Sequence, residues 1–437
     1  MKILIVGGTW TVETENVFED NRRSSLVDKV AIAIKDYCRD NYKNECIVDL
    51  YNGGCYYYLE DILNKTPEYD IVFWWANVPD NDLTKIRDVK GVAPHTMLVT
   101  SKRNDGDKYN FMELTQRALA AKANLMFEFK KEDCEGDSGS SKKMFRINVF
   151  DPLGCQWYGG FDATDAVCAA MERLEYLSSI TRQKTIQSTT DKNLVLAWYF
   201  DQFKQEQHQS EKVVDIPDEQ QFVDIVRKHA ETFYAIMNPG KDIKRFLGNA
   251  SMRPAMPPQV GRCSRGMPSF RHGEYVFVSQ RNIDKQFISL ENFVPCYMED
   301  EKLYYCGDNK PSVDAPIQLR LYDALPNIKY MIHSHCYIDG AIFTQKSIPC
   351  GAIEEVEEVL GLIDSAYGMR NLDYYAINLK GHGSLLMAKD VHLMHDVQYV
   401  SRPMPEYMAM VKCDPTYHGK PRQIQPSSMI INPFTLW

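Results

Sequence analysis

Short apolar runs alternate with amphipathic stretches along the first 130 residues of the chain. Residues 24–36 and 111–123 carry apolar side chains at helical spacing, which predicts two amphipathic helices. Five apolar runs predict strands, at residues 2–6, 46–50, 69–76, 96–100 and 125–129. Strands that alternate with helices are typical of βαβ units around a mostly parallel sheet. The amino-terminal part is therefore predicted to be a doubly wound α/β domain of Rossmann or flavodoxin type.

The pattern changes after this region. Residues 133–143 are polar and rich in Gly and Ser, which predicts a surface loop, and a strand at 148–153 and a long helix at 162–180 follow. The chain then turns polar, with one helical piece at 194–203. These changes predict a ligand-binding domain at 1–181, a partly helical linker at 182–215 and a second domain at 216–437.

The second domain also mixes helices with strands. Helical spacing predicts helices at residues 218–237, 315–324, 353–365 and 390–407. Shorter apolar runs predict strands at residues 275–279, 293–298, 302–306, 328–333, 374–379 and 384–388. This combination indicates a second α/β domain.

Composition and charge narrow the class of protein. The formal net charge of −9 over 437 residues, without a Lys- or Arg-rich block, argues against a nucleic-acid partner. No apolar run approaches the roughly 18 residues that a membrane-spanning helix needs, and the apolar start of the chain is too short for a secretory signal. The 12 cysteines form no CxxC pair, which favours reduced thiols in a cytoplasmic protein over a disulfide framework.

Three histidines stand where strands are predicted to end. His333 and His335 lie two residues apart at the end of an apolar run, and side chains at that spacing point to one face of a strand. His382 lies between two glycines, where the backbone can turn sharply. Three neutral imidazoles suit Zn²⁺, with Mn²⁺ or Fe²⁺ as alternatives, and an open fourth position makes such a site catalytic. The other interpretation is that these are hydrogen-bonded histidines of a core or a loop.

Motifs around these histidines occur in the order found in one known family. They resemble that family's GNxSxR turn, its phosphate-loop strands, its PSSE motif with the following helix, its HTH motif and its NHG strand. In this chain the segments are GNASMR at 248–253, FVS at 277–279, LENFV at 290–294, PSVD at 311–314, LRLY at 319–322, HSH at 333–335, IPCG at 348–351, EEV at 354–356 and LKGHG at 379–383. The second domain therefore resembles the class II aldolase/adducin family of zinc-dependent sugar-phosphate aldolases and epimerases.

The resemblance implies roles for individual residues. His333, His335 and His382 match the metal ligands of the family. Asp314 matches its catalytic glutamate, which acts as acid and base, while Asn249 and Ser312 match positions that bind the phosphate or terminal oxygens of the substrate. The resemblance also implies a homo-oligomer, because family members often form tetramers.

Three features depart from the family pattern. Asp314 is one methylene shorter than glutamate. The family's small Ser/Thr-Gly phosphate loop is replaced by residues 280–282, where Arg281 could grip a phosphate or serve a different substrate. The segment after His335 is short, and Tyr337 cannot be matched to the tyrosine that aldolases bring in after this motif. The proton donor therefore stays open, and Asp314 could also be no more than a helix cap.

These features predict a metal-dependent lyase of aldolase type, which acts on a sugar or sugar phosphate. A divalent ion held by neutral histidines can chelate a carbonyl and stabilise the enediolate that forms when a neighbouring bond breaks, while Asp314 moves the proton. Epimerases and dehydratases share this enediolate and stay as alternatives. A non-catalytic binding protein, as adducins are, is a further alternative, but such a protein should have lost the histidines.

Polar and Gly-rich residues also follow the predicted strands of the first domain. Ligands of doubly wound folds bind at the carboxyl ends of strands. The candidates are Gly7, Gly8, Thr9, Trp10, Asn52, Asn77 and Glu113. The stretch from Met112 to Ala118, which includes Glu113, resembles the glutamate-bearing helix of nucleoside deoxyribosyltransferase-like proteins. The resemblance implies a domain that binds, processes or senses a nucleoside or nucleotide, and a regulatory or oligomer-supporting domain is the alternative.

Overall fold

The computed structural model divides the chain into two compact units, which are described separately. The amino-terminal unit is built mainly from Met1–Ser179, and the carboxy-terminal unit mainly from Ile180–Asn238 and Phe246–Met404. The structure describes residues 1–7, 25–42, 45–52, 69–75, 95–101, 118–119, 123–135, 141–152, 155–201, 218–236, 246–254 and 275–400.

A seven-stranded sheet forms the centre of the amino-terminal unit, in the order β2-β1-β3-β4-β5-β6-β7. The first five strands of this order run parallel, and β6 and β7 are antiparallel to their neighbours. The strands are β1 (Lys2–Gly7), β2 (Ile47–Asn52), β3 (Ile71–Trp75), β4 (His95–Ser101), β5 (Leu125–Glu135), β6 (Ser141–Phe150) and β7 (Gln156–Gly160). The predicted α/β class with a largely parallel sheet is thus confirmed.

Two helices pack against each other and bury apolar side chains of this sheet. They are α1 (Ser25–Tyr42) and α2 (Ala163–Ser179), and their core includes Ile34, Phe127 and Leu174. The connections between β2, β3, β4 and β5 lie largely outside the described residues, as does most of the helix predicted at 111–123. A doubly wound arrangement therefore stays a prediction.

One prediction for this unit is wrong, and one of its strands was not predicted. The ends of the predicted loop at 133–143 are strand residues, because β5 and β6 form a long hairpin in which Glu135 pairs with Ser141. The polar residues at the ends of the predicted loop lie on strands that extend past the apolar core. They therefore lack the apolar pattern from which a strand is predicted. Strand β7 was not predicted, since its sequence QWYGG lacks an apolar alternation.

A nine-stranded, mostly antiparallel sheet forms the centre of the carboxy-terminal unit. Its order is β14-β15-β16-β13-β9-β10-β11-β12-β8, and only the two outermost pairs are parallel. The strands are β8 (Thr185–Gln187), β9 (Asn249–Met252), β10 (Val276–Ser279), β11 (Phe293–Glu299), β12 (Lys302–Tyr305), β13 (Tyr330–Ser334), β14 (Ile342–Phe343), β15 (Tyr374–Leu379) and β16 (Gly383–Ala388). The GNASMR segment, predicted as a turn, supplies the central strand β9.

Helices cover both faces of this sheet. On one face α5 (Ala315–Ala324) and α6 (Glu354–Leu362) pack on alternate strand residues such as Val278 and Met331. On the other face α4 (Asp218–Ile236) places Phe222 against Tyr330, with ring centroids 4.9 Å apart. Since His333 lies two residues after Met331 on β13, it faces the side of α5 and α6.

The described part of the predicted linker, residues 182–201, packs onto this second unit. Strand β8 pairs with β12, α3 (Lys192–Leu196) follows, and a π-helical turn over Ala197–Asp201 places Tyr199 against Phe277. The boundaries at 181 and 216 stay predictions from the sequence.

The prediction of a helix at 390–407 is wrong for the described residues of this stretch, which end at residue 400. Only a short 3-10 turn forms, over Val391–Met394. Tyr399 then bridges to Ile338, and the backbone N–H of Val400 donates to the Tyr337 carbonyl. These backbone contacts hold the chain in an extended conformation, where the apolar spacing alone predicted a helix.

Candidate metal centre

The centre of the site is built by the strand that ends in His333-Ser334-His335. Strand β13 lies between β9 and β16, so its backbone is held from both sides. His333 and His335 are both buried, and their ring centroids lie 4.9 Å apart. The predicted orientation of the two imidazoles towards one region is therefore confirmed.

The third histidine reaches the same place through a glycine turn. His382 lies between Gly381 and Gly383, which both have positive φ values, 68° and 135°. A Cβ atom on Gly383 would lie only 1.9 Å from the carbonyl oxygen of Ser334. The absence of a side chain thus lets this turn approach the β13 backbone and brings His382 to the other two rings.

The three imidazoles form one compact cluster. One nitrogen from each of His333, His335 and His382 lies within 4.8 Å of the other two. The ring centroid of His382 is 4.6 Å from that of His333 and 5.4 Å from that of His335. Such a set of buried donors could hold one metal ion.

A backbone carbonyl fixes the orientation of His333. Its Nδ1 lies 3.0 Å from the carbonyl oxygen of Ser384. Because a carbonyl oxygen only accepts, Nδ1 carries the proton and Nε2 keeps the lone pair. Burial and the neighbouring His382 lower the pKa of His333 to about 4, although Asp314 acts to raise it. The ring is therefore neutral at pH 7.

Two ring nitrogens in this cluster are left without hydrogen bonds inside the protein. Within the described parts of the chain, Nε2 of His333 and Nδ1 of His335 are buried and have no hydrogen-bond partner. Burial also lowers the pKa of His335 well below its ordinary value, so that this ring is neutral too. A buried polar atom without a partner is unfavourable, and a cation would satisfy these lone pairs. The donor set thus fits a divalent metal.

A buried glutamate orients His382. Nδ1 of His382 lies 2.6 Å from Oε1 of Glu355, near the first turn of α6. Burial raises the pKa of Glu355, and the contact with His382 opposes that rise. A carboxylate in this position fixes the orientation of a metal-binding histidine and makes its other nitrogen a better ligand. Glu355 was not predicted to have this role.

Asp314 occupies the N-cap position of α5 but makes no capping hydrogen bond. Instead its Oδ1 accepts from the backbone N–H of Gly351 at 2.9 Å and from the thiol of Cys350 at 3.1 Å. Its Oδ2 lies 3.9 Å from Nε2 of His333. Burial alone would raise the pKa of Asp314, but His333, His382 and the two hydrogen bonds lower it overall. The carboxylate is therefore ionised at pH 7 beside the histidine cluster.

Two of the three predicted substrate-binding residues contact Asp314 in the structure. Nδ2 of Asn249 donates to Oδ2 of Asp314 at 2.9 Å, while its Oδ1 accepts from Gln318. The Ser312 hydroxyl lies 3.5 Å from the same Asp314 oxygen. Asn249 and Ser312 are thus brought to Asp314, whereas Arg281 donates from Nε to the Pro311 carbonyl at 3.2 Å. Their roles towards a substrate stay predictions.

Cys350 contributes to a second possible donor set. One atom from each of Asp314, Cys350 and His382 lies within 4.8 Å of the other two. Burial and the adjacent Asp314 raise the pKa of the Cys350 thiol well above its ordinary value. The thiol is therefore protonated at pH 7 and acts as a donor to Asp314. The local sequence around Cys350 and Glu355 gives no sign of these contacts, since the partners lie 36 and 27 residues away.

The predicted amino-terminal ligand residues can be placed only in part. Gly7 and Asn52 pair at the carboxyl ends of the neighbouring parallel strands β1 and β2. Gly8, Thr9, Trp10, Asn77 and Glu113 lie outside the described residues. The nucleoside or nucleotide site therefore stays a prediction.

In the part of the chain that the structure describes, no helix is long and apolar enough to cross a membrane.

Comparison with known proteins agrees with the motifs. Residues 243–397 match the family described as class II aldolase and adducin N-terminal domain. The family model thus matches the part of the chain in which the sequence motifs lie, as the sequence predicts. No curated protein matches the chain.

Two solved structures show weak similarity. YgbL from Klebsiella pneumoniae, described as a candidate aldolase, epimerase or decarboxylase, is 12% identical over 50% of this chain and 100% of its own, with a TM-score of 0.28. The C-terminal domain of the coenzyme A biosynthesis bifunctional protein CoaBC is 13% identical over 40% of this chain and 96% of its own, with a TM-score of 0.27. At these scores neither similarity supports a conclusion about function.

Proposed function

We propose that His333, His335 and His382 bind one divalent cation and that the carboxy-terminal unit is a metal-dependent lyase of aldolase type. The observation that carries the proposal is the convergence of three buried imidazole nitrogens within 4.8 Å. Neutral imidazoles suit Zn²⁺ best, with Mn²⁺ or Fe²⁺ as alternatives. The proposed substrate is a sugar or a sugar phosphate.

The protein groups around the cluster support this chemistry. Ser384 and Glu355 hold the rings of His333 and His382 in place through their Nδ1 atoms. If His382 binds a metal, it therefore does so through Nε2. When bound, a divalent cation would polarise a substrate carbonyl. Only neutral side chains would ligate it, so its full charge would act on the substrate.

Asp314 is the proposed proton acceptor. It is ionised, buried and 3.9 Å from the histidine ring, so it can take a proton from the carbon or hydroxyl next to the carbonyl. Removal of a proton or breakage of a bond at that position leaves an enediolate. Aldol cleavage, epimerisation and dehydration share this anion, so epimerase and dehydratase activities stay as alternatives.

Metal content and proton exchange test the proposal. The purified protein is expected to hold about one divalent ion per chain. With dihydroxyacetone phosphate in D₂O, it should exchange a proton next to the carbonyl, as seen by NMR. His335→Ala should lose the metal and the exchange, whereas the exposed His392→Ala control should keep both.

The two measurements separate the remaining alternatives. A wild-type protein without metal would contradict the proposed site. A protein that binds metal but exchanges no proton with any of a panel of sugar phosphates would favour a non-catalytic, adducin-like role. Assembly into a homo-oligomer and a cytoplasmic location stay predictions from the sequence.

A further inference from the structure

We infer that Cys38 and Cys46 form a redox-active pair of thiols, which a low-molecular-weight disulfide converts reversibly into a disulfide bond. The two residues are eight positions apart in the chain and belong to the amino-terminal unit. The proposed metal centre belongs to the carboxy-terminal unit, so the two sites can be tested independently. No sequence motif predicted this pair, because the 12 cysteines contain no CxxC spacing.

The two sulfur atoms already lie in contact. The thiol of Cys46 donates to Sγ of Cys38, and the distance between the two sulfur atoms is 2.9 Å. Neither residue takes part in a disulfide in the structure. The bond in a disulfide is about 2.05 Å long, so the two sulfur atoms would need to approach each other by less than about 1 Å. Formation of the bond therefore requires only a small movement.

The backbone on either side of Cys46 is fixed by hydrogen bonds. The N–H of Ile47 donates to the Met1 carbonyl at 2.9 Å, directly before β1. The N–H of Glu45 donates at 3.0 Å to the carbonyl of Tyr42, which is the last residue of α1. Cys46 is therefore held between the start of the first strand and the end of this helix.

The helix that carries Cys38 is held as well. Cys38 is only 3% exposed and belongs to the apolar core between α1, α2 and the sheet. The hydroxyl groups of Tyr37 and Tyr42, on either side of Cys38 in the sequence, both donate to the carboxylate of Glu175 on α2. Because both backbones are fixed, each sulfur has a high effective concentration towards the other.

The two thiols differ in their access to a reagent. Cys46 is half-buried, whereas Cys38 is buried. Burial and the adjacent Cys46 also raise the pKa of the Cys38 thiol, which therefore stays protonated at pH 7. A thiolate is the attacking species in thiol–disulfide exchange. Cys46 is thus the thiol that meets the reagent, and Cys38 is the thiol that completes the bond.

Two exchange steps form the disulfide, with glutathione disulfide as the co-reactant. In the first step, the sulfur of Cys46 loses its proton and attacks one sulfur of glutathione disulfide, whose S–S bond breaks and releases one glutathione. In the second step, the sulfur of Cys38 loses its proton, attacks the sulfur of Cys46 and releases the other glutathione. Two protein thiols are oxidised, and one glutathione disulfide is reduced to two glutathione molecules that carry the two protons.

Mass spectrometry of the full chain tests the inference. The protein is treated with glutathione disulfide, its remaining thiols are alkylated in denaturant, and its peptides are analysed. Wild type should yield two peptides joined through Cys38 and Cys46, and dithiothreitol should remove the link. Complete alkylation of both cysteines, or a glutathione adduct that persists on Cys46, would overturn the inference.

Three variants test the order of the two steps. Cys38→Ala should keep glutathione on Cys46 as a stable mixed disulfide, because the second thiol is lost. Cys46→Ala should leave Cys38 without glutathione, because Cys38 is buried. The control Cys168→Ala removes another half-buried thiol of the same unit and should form the link as wild type does. A glutathione adduct on Cys38 in Cys46→Ala would contradict the assignment of Cys46 as the first thiol to react.

Glutathione buffers measure how far the fold promotes the bond. At a constant concentration of reduced glutathione, the folded wild type should be half-oxidised at an at least about tenfold lower concentration of glutathione disulfide than the urea-unfolded chain, because the fold holds the sulfur atoms together. This comparison needs no variant, so it does not depend on whether the variants fold. Equal concentrations for the folded and the unfolded chain would overturn the inference, since the spacing along the chain would then suffice for the link.

Discussion

Asp314 stands at the N-cap position of α5, where an aspartate commonly acts as a cap. In this protein the carboxylate turns away from the helix and accepts hydrogen bonds from Cys350 and Gly351 instead. Four donors, including Asn249 and Ser312, surround its two oxygens. Contacts with distant parts of the chain therefore fix the position of this carboxylate. A role as a helix cap does not explain these contacts.

Replacement of Asp314 tests its proposed role as the proton acceptor. Asp314→Asn keeps the size of the side chain and one acceptor oxygen, so metal should still bind. Proton exchange should fall at least about 100-fold, as expected when a general base is removed. The exposed Asp339→Asn is the matched control and should exchange like wild type. Normal exchange by Asp314→Asn would show that another group moves the proton, and loss of metal would show that Asp314 is a ligand.

Glu355 supports the site through His382 rather than through direct contact with a substrate. Glu355→Gln should weaken metal binding about 10- to 100-fold, because the charge that orients His382 and makes it more basic is lost. Competition with a chelator measures this affinity. Glu357→Gln changes an exposed glutamate of the same helix and should bind metal as wild type does. Equal affinities for the two variants would contradict the role of Glu355.

At the scale of elements, the site depends on how closely the turn around His382 approaches the end of β13. The sheet register pairs Ser334 with Ser384 and places Gly383 against Leu379. The HSH segment and the glycine turn therefore meet at one end of three neighbouring strands, β13, β15 and β16. Helices α5 and α6 bring Asp314 and Glu355 to the same end.

Substitution of Gly383 tests this close approach. Gly383→Ala should destabilise the protein by more than about 2 kcal/mol, since the new methyl group would collide with the Ser334 carbonyl at a φ that disfavours side chains. Gly361→Ala on α6 meets no atom within 4 Å and should stabilise by about 0.5–1 kcal/mol. Urea unfolding of both variants gives the two free energies. Similar stability for Gly383→Ala and wild type would show that the turn moves away at little cost.

For the whole molecule, the metal proposal predicts a link between cation binding and stability. A ligand that binds only the folded state at 100 times its Kd adds about 2.7 kcal/mol to the free energy of unfolding. For a unit of this size, the melting temperature should rise by about 5–10 °C. Thermal unfolding with Zn²⁺ and with a chelator measures the shift.

The same experiment has an internal control. His335→Ala should unfold at one temperature in Zn²⁺ and in chelator, because its binding site is lost. A wild-type protein whose melting temperature does not respond to Zn²⁺, Mn²⁺ or Fe²⁺ would contradict the metal proposal.

The sequence by itself determined the elements whose side chains follow a clear period and the residue types of the centre. The helix at 315–324 and the strand at 374–379 were predicted with the bounds that the structure has. His333, His335 and His382 could be identified because they lie in short motifs of a known order. Spacing along the chain is local information, and it suffices for these features.

Only the tertiary structure decided which distant segments meet. The contacts of Glu355 with His382 and of Cys350 with Asp314 join residues far apart in the chain, and no local pattern encodes them. The same holds for β8, which pairs with β12, and for the extended segment that ends at Val400. Backbone pairing and burial fix these positions, because they depend on the complete sheet and its two layers of helices rather than on neighbouring residues.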